Sequence, residues 1–438
     1  MFDSTEGKFY DVGTSTALIT PKNKVSLFTF DGIERNNDIL HSELEANAII
    51  INHGLDLLII VSLDLIWVDE IFTAQVQKWI DTEYNEYNSH LLLLATHSHS
   101  TPQISSRICN SARPNLSYIS FLCKQVCKVI SSAFNDKEKC YAELSITHPN
   151  LTINRRKKIL SARSLKRGII KTIIANRPNP NGARDDLLYT IWFYNSKDNE
   201  KAVLLNYACH TTLFRDNAVS SDFPGLVSKY LKSQLSKDLV VCFLQGFTGN
   251  IKANLVKSQC LNHGGVFSSI YNCLFDRVQF NKKVSQKQLE SFSKKIAQFA
   301  LLRHNPKKIN PKIFFISKTI KLPLNSNNKL QYANLEVSYV SIGDELRIIA
   351  LGGEIFAEYS LWLREFFLSK KLDLLTVGYC NGMVGYIPTF DAMLEGGYEV
   401  ERSYKIFGYL FPFSSKLESI LMKEVHKLIK TTPQENKI

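Results

Sequence analysis

The sequence lacks any apolar run of the 18 or more residues that a membrane-spanning helix requires. Its most apolar stretch, Leu55–Trp67, is broken by Asp56 and Asp64. With only 20 glycines and 13 prolines in 438 residues, collagen-like and low-complexity classes are excluded. The start, Met1-Phe2-Asp3-Ser4-Thr5-Glu6, lacks a basic segment followed by an apolar one, so no signal peptide is expected. Nine cysteines, an odd number with no Cys-x-x-Cys pair, then read as reduced, mostly buried thiols, and the expected compartment is the cytoplasm.

What is present is an ordinary globular composition with a basic excess: 53 Lys plus Arg against 41 Asp plus Glu, a net charge of +12. The excess is uneven. Leu151 to Arg184 holds ten basic residues and no acid, including Arg155-Arg156-Lys157-Lys158. This segment is either a patch for an anionic partner or the solvated face of a basic protein. No nucleic-acid-binding motif accompanies it, so nucleic acid is not an expected partner.

Apolar patterning predicts strands over Glu43–Ile51, Leu55–Leu65, His90–Ala95, Leu187–Tyr194, Ala202–Ala208, Leu239–Leu244, Ala333–Ser341 and Leu346–Gly352. It predicts helices over Val68–Trp79, Ser117–Phe134, Phe223–Lys232, Gln286–Arg303, Ala357–Phe367 and Ser414–Ile429. The expectation is an α/β fold: a mixed β-sheet core flanked by helices. Without a long linker or repeat it forms one large domain, residues 1–430, followed by a polar tail, 431–438. Gln286–Arg303 carries an apolar face that either packs on the sheet or rests on a membrane surface, so peripheral membrane contact stays open.

Three of only ten histidines close predicted strands, where open α/β sheets place their sites. His97 and His99 follow Leu91–Ala95; if that strand continues, both point to one face. Such a pair suits a divalent metal such as zinc, or is simply hydrogen-bonded at a strand end. His210 ends Asn206-Tyr207-Ala208-Cys209-His210. Glu354, at a strand-to-helix turn, is a ligand or an ordinary first-turn helix residue favoured by the dipole. Gln245–Asn250 is a glycine-rich turn whose backbone N–H groups could approach a substrate oxygen; no Gly-Lys-Ser/Thr follows it.

Taken in order, these segments resemble the neutral/alkaline, non-lysosomal ceramidase family. Thr96-His97-Ser98-His99-Ser100-Thr101-Pro102 is similar to its Thr-His-Thr-His-Ser-Gly-Pro signature. Ala17–Pro21, Asn206–His210, Ser220–Gly225, Gly353-Glu354, Gly385–Thr389 and Gly396–Val400 resemble further family segments. The resemblance implies a ceramidase N-terminal-domain-like fold and a zinc site made of His97, His210, Glu354 and Tyr386. It implies that His99, Arg155 and Tyr398 line the site and steady the reacting carbonyl oxygen. The family uses zinc to activate water for amide hydrolysis, as zinc's effect on bound water allows.

Two departures qualify what the resemblance implies. Family ceramidases carry a catalytic serine in Gly-Asp-Val-Ser-Pro-Asn, whereas this chain reads Gly249-Asn250-Ile251-Lys252-Ala253-Asn254. Lys252 therefore stands at the serine position, either holding an anionic substrate group or oxyanion, or facing solvent. Relatives that meet bilayers also add a carboxyl-terminal β-domain, for which this chain has no room. The expectation is a zinc-dependent amidohydrolase of a soluble, anionic N-acyl metabolite or amino sugar. A hydrolase or lyase acting on a glycan or ester, and a non-catalytic protein retaining the zinc site, are the competing readings.

Overall fold

Strand Glu45–His53 is buried along nearly its whole length, and its alternate residues enter two different cores. Ala46, Ala48 and Ile50 pack among helix side chains such as Val76, Leu122 and Val126. Ile49 and Ile51 instead meet Val340, Ile348 and Leu375 of a second sheet. A strand covered on both faces needs a continuous apolar run, which is why this segment lacks polar alternation. The computed structural model describes residues 9–28, 35–105, 107, 113–161, 164, 167–257, 278–326 and 331–431. The amino-terminal hexapeptide and the polar tail beyond Thr431 lie outside the described residues.

The larger, nine-stranded sheet contains β1 (Tyr10–Leu18), β2 (Glu45–His53), β3 (Asp56–Leu63), β4 (Asn88–Ala95) and β5 (Glu138–Thr147). Continuing past a small sheet of β6 (Thr152–Leu160) and β7 (Thr172–Asn179), it takes in β8 (Leu188–Asn195), β9 (Glu200–Tyr207) and β10 (Val240–Gln245). Its order is β10-β9-β8-β5-β1-β2-β3-β4, with a ninth strand, Lys307–Ile309, pairing β5. Strand β11 (Ile251–Ala253) pairs with β6 to complete the small sheet. The second large sheet runs Ile313–Pro323, Tyr332–Ile342, β12 (Leu346–Leu351) and β13 (Asp373–Val377).

Helices cover the outer faces, so the expected mixed sheet core flanked by helices is what forms, as a single domain. Helix α1 (Glu70–Glu83) starts where the Asp69 side chain accepts from Phe72 N–H, satisfying one of its orphan donors. Helix α2 (Leu116–Asn135) packs on β1 and β2. Helix α3 (Asp222–Gln234) meets α4 (Gln286–Leu301), which opens with a Ser285/Gln288 capping box. Leu289, Phe292, Ile296 and Ala300 of α4 are buried against Phe223, Val227 and Phe243, so its apolar face is covered by protein rather than offered to a membrane. Among the described residues no helix is long and apolar enough to cross a membrane.

Both large sheets are mixed, and their parallel pairs lie where the site forms: β3 with β4, β9 with β10, β12 with β13. The carboxyl ends of these strands are stitched together. Ala95 N–H donates to Tyr379 O at 3.2 Å, Gly378 N–H to Gln245 O at 2.9 Å, and Thr211 Oγ1 to Thr96 O at 2.6 Å. Four separate chain segments thus leave their strands beside one another.

Candidate metal centre

Strand β4 stops at Ala95, and His97 takes a left-handed backbone conformation, φ 65°. The two histidines therefore do not share a face by strand alternation; a turn brings them together. His97 Nδ1 lies 2.8 Å from Ile66 O and donates to it, which leaves Nε2 with its lone pair aimed inward. His99 Nε2 lies 3.1 Å from that atom. His210, three residues past β9, joins them, and ligand nitrogens of His97, His99 and His210 all lie within 4.8 Å of one another. His210 Nδ1 has no hydrogen-bond partner among the described residues.

Glu354 completes the cluster. Its Oε2 is 3.5 Å from His97 Nε2 and 3.9 Å from His210 Nδ1. It does not lie in a first helical turn: it sits in a two-residue strand, β14 (Glu354–Ile355), and the next helix, α5 (Ala357–Leu368), starts beyond it. Strand β14 pairs in parallel with β15 (Tyr386–Ile387), and the register puts Glu354 directly beside Tyr386. All five side chains, His97, His99, His210, Glu354 and Tyr386, are buried.

These donors fit a metal ion. Ligands bound about 2.0–2.1 Å from a tetrahedral zinc stand roughly 3.3 Å apart. The separations of 3.1, 3.5 and 3.9 Å bracket that edge. Burial, then nearby cations and imidazoles, pushes His99 and His210 well below the ordinary histidine range, which keeps both as neutral ligands. The donor set is oxygen and nitrogen, so it suits zinc and also manganese or iron.

Around the cluster, Arg155 occupies a central place. It is buried, and its Nη2 donates to Tyr386 OH at 3.0 Å and to Gly249 O at 2.7 Å. Burial drives the Tyr386 phenol well above its usual range, against the pull of Arg155. Arg155 and Arg156 share one carboxylate: Glu399 lies 3.2 Å from Arg155 Nη2 and 2.7 Å from Arg156 Nη1. The basic run is therefore not a solvated face at its start; it threads two guanidinium groups into the interior on β6. Tyr398 stands edge-on to Tyr386, with ring centroids 6.0 Å apart.

Both glycine N–H groups of the glycine-rich turn are taken up within the fold. Gly246 N–H donates to Tyr207 O and Gly249 N–H to Ile355 O at 2.7 Å, so neither donor faces substrate. Gly249 is instead a point of close approach: a Cβ there would meet the Glu354 carbonyl oxygen. Lys252 follows on β11, buried to 9% exposure. Residues His99, Arg155, His210, Lys252, Tyr386 and Tyr398 all line one cavity of about 580 Å³. His97 and Glu354 sit behind that lining.

Two contributors stand outside the ligand and oxyanion set that the resemblance implies. Tyr379 stacks on His97, with centroids 4.0 Å apart, and its hydroxyl lies 3.5 Å from Glu354 Oε2 and 2.7 Å from Thr248 Oγ1. Its position just after β13 was the available signal, since His97 and His210 also follow strand ends. Glu399, which orients both arginines, carries no local signal beyond adjoining Tyr398.

Comparison with known proteins bears on family and fold. Residues 10–288 match the family described as neutral/alkaline non-lysosomal ceramidase, N-terminal. The fold is similar to the crystal structure of neutral ceramidase from Pseudomonas aeruginosa, with a TM-score of 0.73 at 14% identity, covering 95% of this chain and 73% of that one. It is also similar to a structure described as ceramidase complexed with C2: TM-score 0.72, 13% identity, 95% and 76% covered. No curated protein sequence matches. By the extent of the family match, this chain belongs to the neutral/alkaline non-lysosomal ceramidase family.

Proposed function

We propose that this chain is a zinc-dependent amidohydrolase that removes an acyl group from the nitrogen of a small, soluble molecule. The observation carrying this reading is the convergence of three histidines and Glu354 at a cavity that also presents Arg155 and Tyr398. In it, His97, His210, Glu354 and Tyr386 would hold Zn2+, with His99 offering a further nitrogen at the same point. A zinc ion there would polarise the scissile carbonyl and lower the pKa of a water to about 7.

The chain's own groups supply the rest. Arg155, kept charged and fixed by Glu399 and Gly249 O, aims its guanidinium toward the Tyr386 hydroxyl. With Tyr398 and His99 on the cavity wall, it would steady the oxyanion as the carbonyl becomes tetrahedral. Tyr379, stacked on His97, and Ile66 O, accepting from its Nδ1, lock that imidazole's orientation and tautomer. Among the described residues the lining sets Arg35, Arg155, Arg156, Arg215, Lys252 and Arg402 against one acid, Glu399, which favours an anionic substrate over a neutral bilayer lipid.

The asparagine at the family's aspartate position does not argue for a decayed site. Asn250 Oδ1 accepts from Ala357 N–H at 2.9 Å, and its Nδ2 donates to Glu358 at 2.8 Å. An aspartate would repel Glu358, so the amide is explained by what it holds: the start of α5. The test is metal content by mass spectrometry beside hydrolysis of N-acyl, O-acyl and glycosidic probes. Wild type should carry about one zinc per chain, His210→Ala almost none, and amide hydrolysis should vanish with it. Metal-free wild type, or amide hydrolysis indifferent to His210→Ala, would overturn the reading.

A further inference from the structure

Among the described residues Lys252 is a buried cation without a counter-ion. Its ammonium makes no hydrogen bond or ion pair with any described residue; its recorded contact is the Phe280 ring, 5.2 Å from Nζ. The acid on this cavity wall, Glu399, is already shared by Arg155 and Arg156. Asp222, the acid acting on nearby Arg215, has its oxygens occupied by the N–H groups of Phe214 and Phe223. Arg215 reaches the same cavity from an exposed loop, its Nε held by Thr212 O at 3.1 Å. Two cations thus face one space in which no described acid is left unpaired. Leaving such a charge uncompensated is costly, and an arriving carboxylate would remove that cost.

The sheet fixes where this space lies relative to the reacting centre. Lys252 on β11 pairs with Ile153 on β6, and Arg155 is two residues along the same strand. Lys252 and Arg155 therefore lie on one face as diagonal neighbours, with a Cα separation on the order of 7–8 Å. Arg155 in turn touches Tyr386. An anion between Lys252 and Arg215 would share its cavity with a carbonyl held beside His99, His210 and Tyr386.

We propose that Lys252 and Arg215 form an anion subsite that reads a carboxylate next to the scissile amide, making the substrate class N-acyl amino acids and similarly carboxylated N-acyl compounds. This rests on the amidohydrolase reading for its placement, and it assigns a role to the residue that replaces the family serine. Burial, then Arg215 and Arg155, holds the Lys252 ammonium well below the ordinary lysine range, with Glu399 and Cys209 opposing. The free site is therefore electrostatically strained in the direction that an anion relieves.

A matched pair of probes tests this: hexanoylglycine and hexanoylethanolamine, which differ in a carboxylate against a hydroxymethyl group. The zinc-loaded wild type should prefer the glycine conjugate by tenfold or more in kcat/KM. That ratio should fall to about threefold or less in Lys252→Met and Lys252→Ser, fall partly in Arg215→Gln, and persist in Lys252→Arg. Circular dichroism melting checks that each variant is folded. Calorimetric binding of hexanoylglycine to metal-free protein gives a second readout independent of turnover, and it should weaken tenfold in Lys252→Met. Equal hydrolysis of both probes would overturn the subsite while leaving the hydrolase reading intact. Lys252-dependent binding with no hydrolysis of either probe would do the reverse. Neither binding nor hydrolysis would overturn both.

Discussion

Replacing Glu399 by glutamine removes one charge and almost no volume from between two buried guanidinium groups. Glu399 is 8% exposed, Arg155 5% and Arg156 6%. At about 3 Å and an effective dielectric of roughly 20, each contact carries on the order of 5 kcal/mol of gross attraction, most of it offset by desolvation. What matters is the charge left behind: breaking a buried pair costs about 3–5 kcal/mol. The low end applies here because both arginines keep other partners. Arg156 retains Gly396 O at 2.8 Å, and Arg155 retains Gly249 O and Tyr386 OH. Urea midpoints at a common m-value should therefore show Glu399→Gln less stable by about 3 kcal/mol. The loss should change little between low and high salt, because the pair is shielded from counter-ions. Asp344→Asn, which breaks the half-exposed Lys312–Asp344 pair at 2.8 Å, is the control and should cost under about 1 kcal/mol. A Glu399→Gln loss no larger than the control's would refute the argument.

Two further outcomes follow from other parts of the fold. Burial lowers His90 to about 4, and its ring stacks on Phe315 with centroids 5.0 Å apart. Because the folded state resists this proton while the unfolded imidazole accepts it near 6.5, stability is complete above that pH and declines as pH falls toward 4. The decline is roughly 2–3 kcal/mol, and acid titration of His90→Phe should lack that component; an unchanged acid limb would count against it. Gly249→Ala places a Cβ against the Glu354 carbonyl and 2.8 Å from Phe356 Cδ1. Overpacking of this kind costs about 1–3 kcal/mol, and zinc stoichiometry should drop further than in a surface variant of equal stability.

The long elements were legible because their apolar period reflects burial directly. Leu91–Ala95, the run before His97, and Leu289–Ala300 in α4 are examples. By its own pattern strand β6, Thr-Ile-Asn-Arg-Arg-Lys-Lys-Ile-Leu, is a charge run, and only the family resemblance singles out Arg155, since what buries Arg156 is a glutamate 243 residues away. Local pattern cannot register a partner at that separation. The candidate site divides in the same way. His97, His99 and His210 announced themselves by residue type at strand ends, whereas Glu354 stayed ambiguous because a two-residue strand leaves no periodic trace. Strand alternation gave the wrong reason for the His97–His99 convergence, because no pattern foretold the left-handed turn at His97.

The pairing of Glu354 with Tyr386 rests on a ladder of two rungs, entered through Glu354 N–H bonded to Gly385 O at 2.9 Å. Side chains alternate along such a strand, so a slip of one residue would turn the carboxylate and the phenol away together. So short a ladder contributes little to the stability of the whole, yet it sets whether these two side chains meet. Gly385, at φ 94° with a Cβ position filled by the Phe407 ring, fixes where counting begins. Lengthening the buried Gly378–Gly385 segment by one residue would shift that count and, under the proposed function, cost the metal site more than the accompanying loss of stability explains. Melting alone would not separate the two effects; bound metal measured beside a variant of equal stability would.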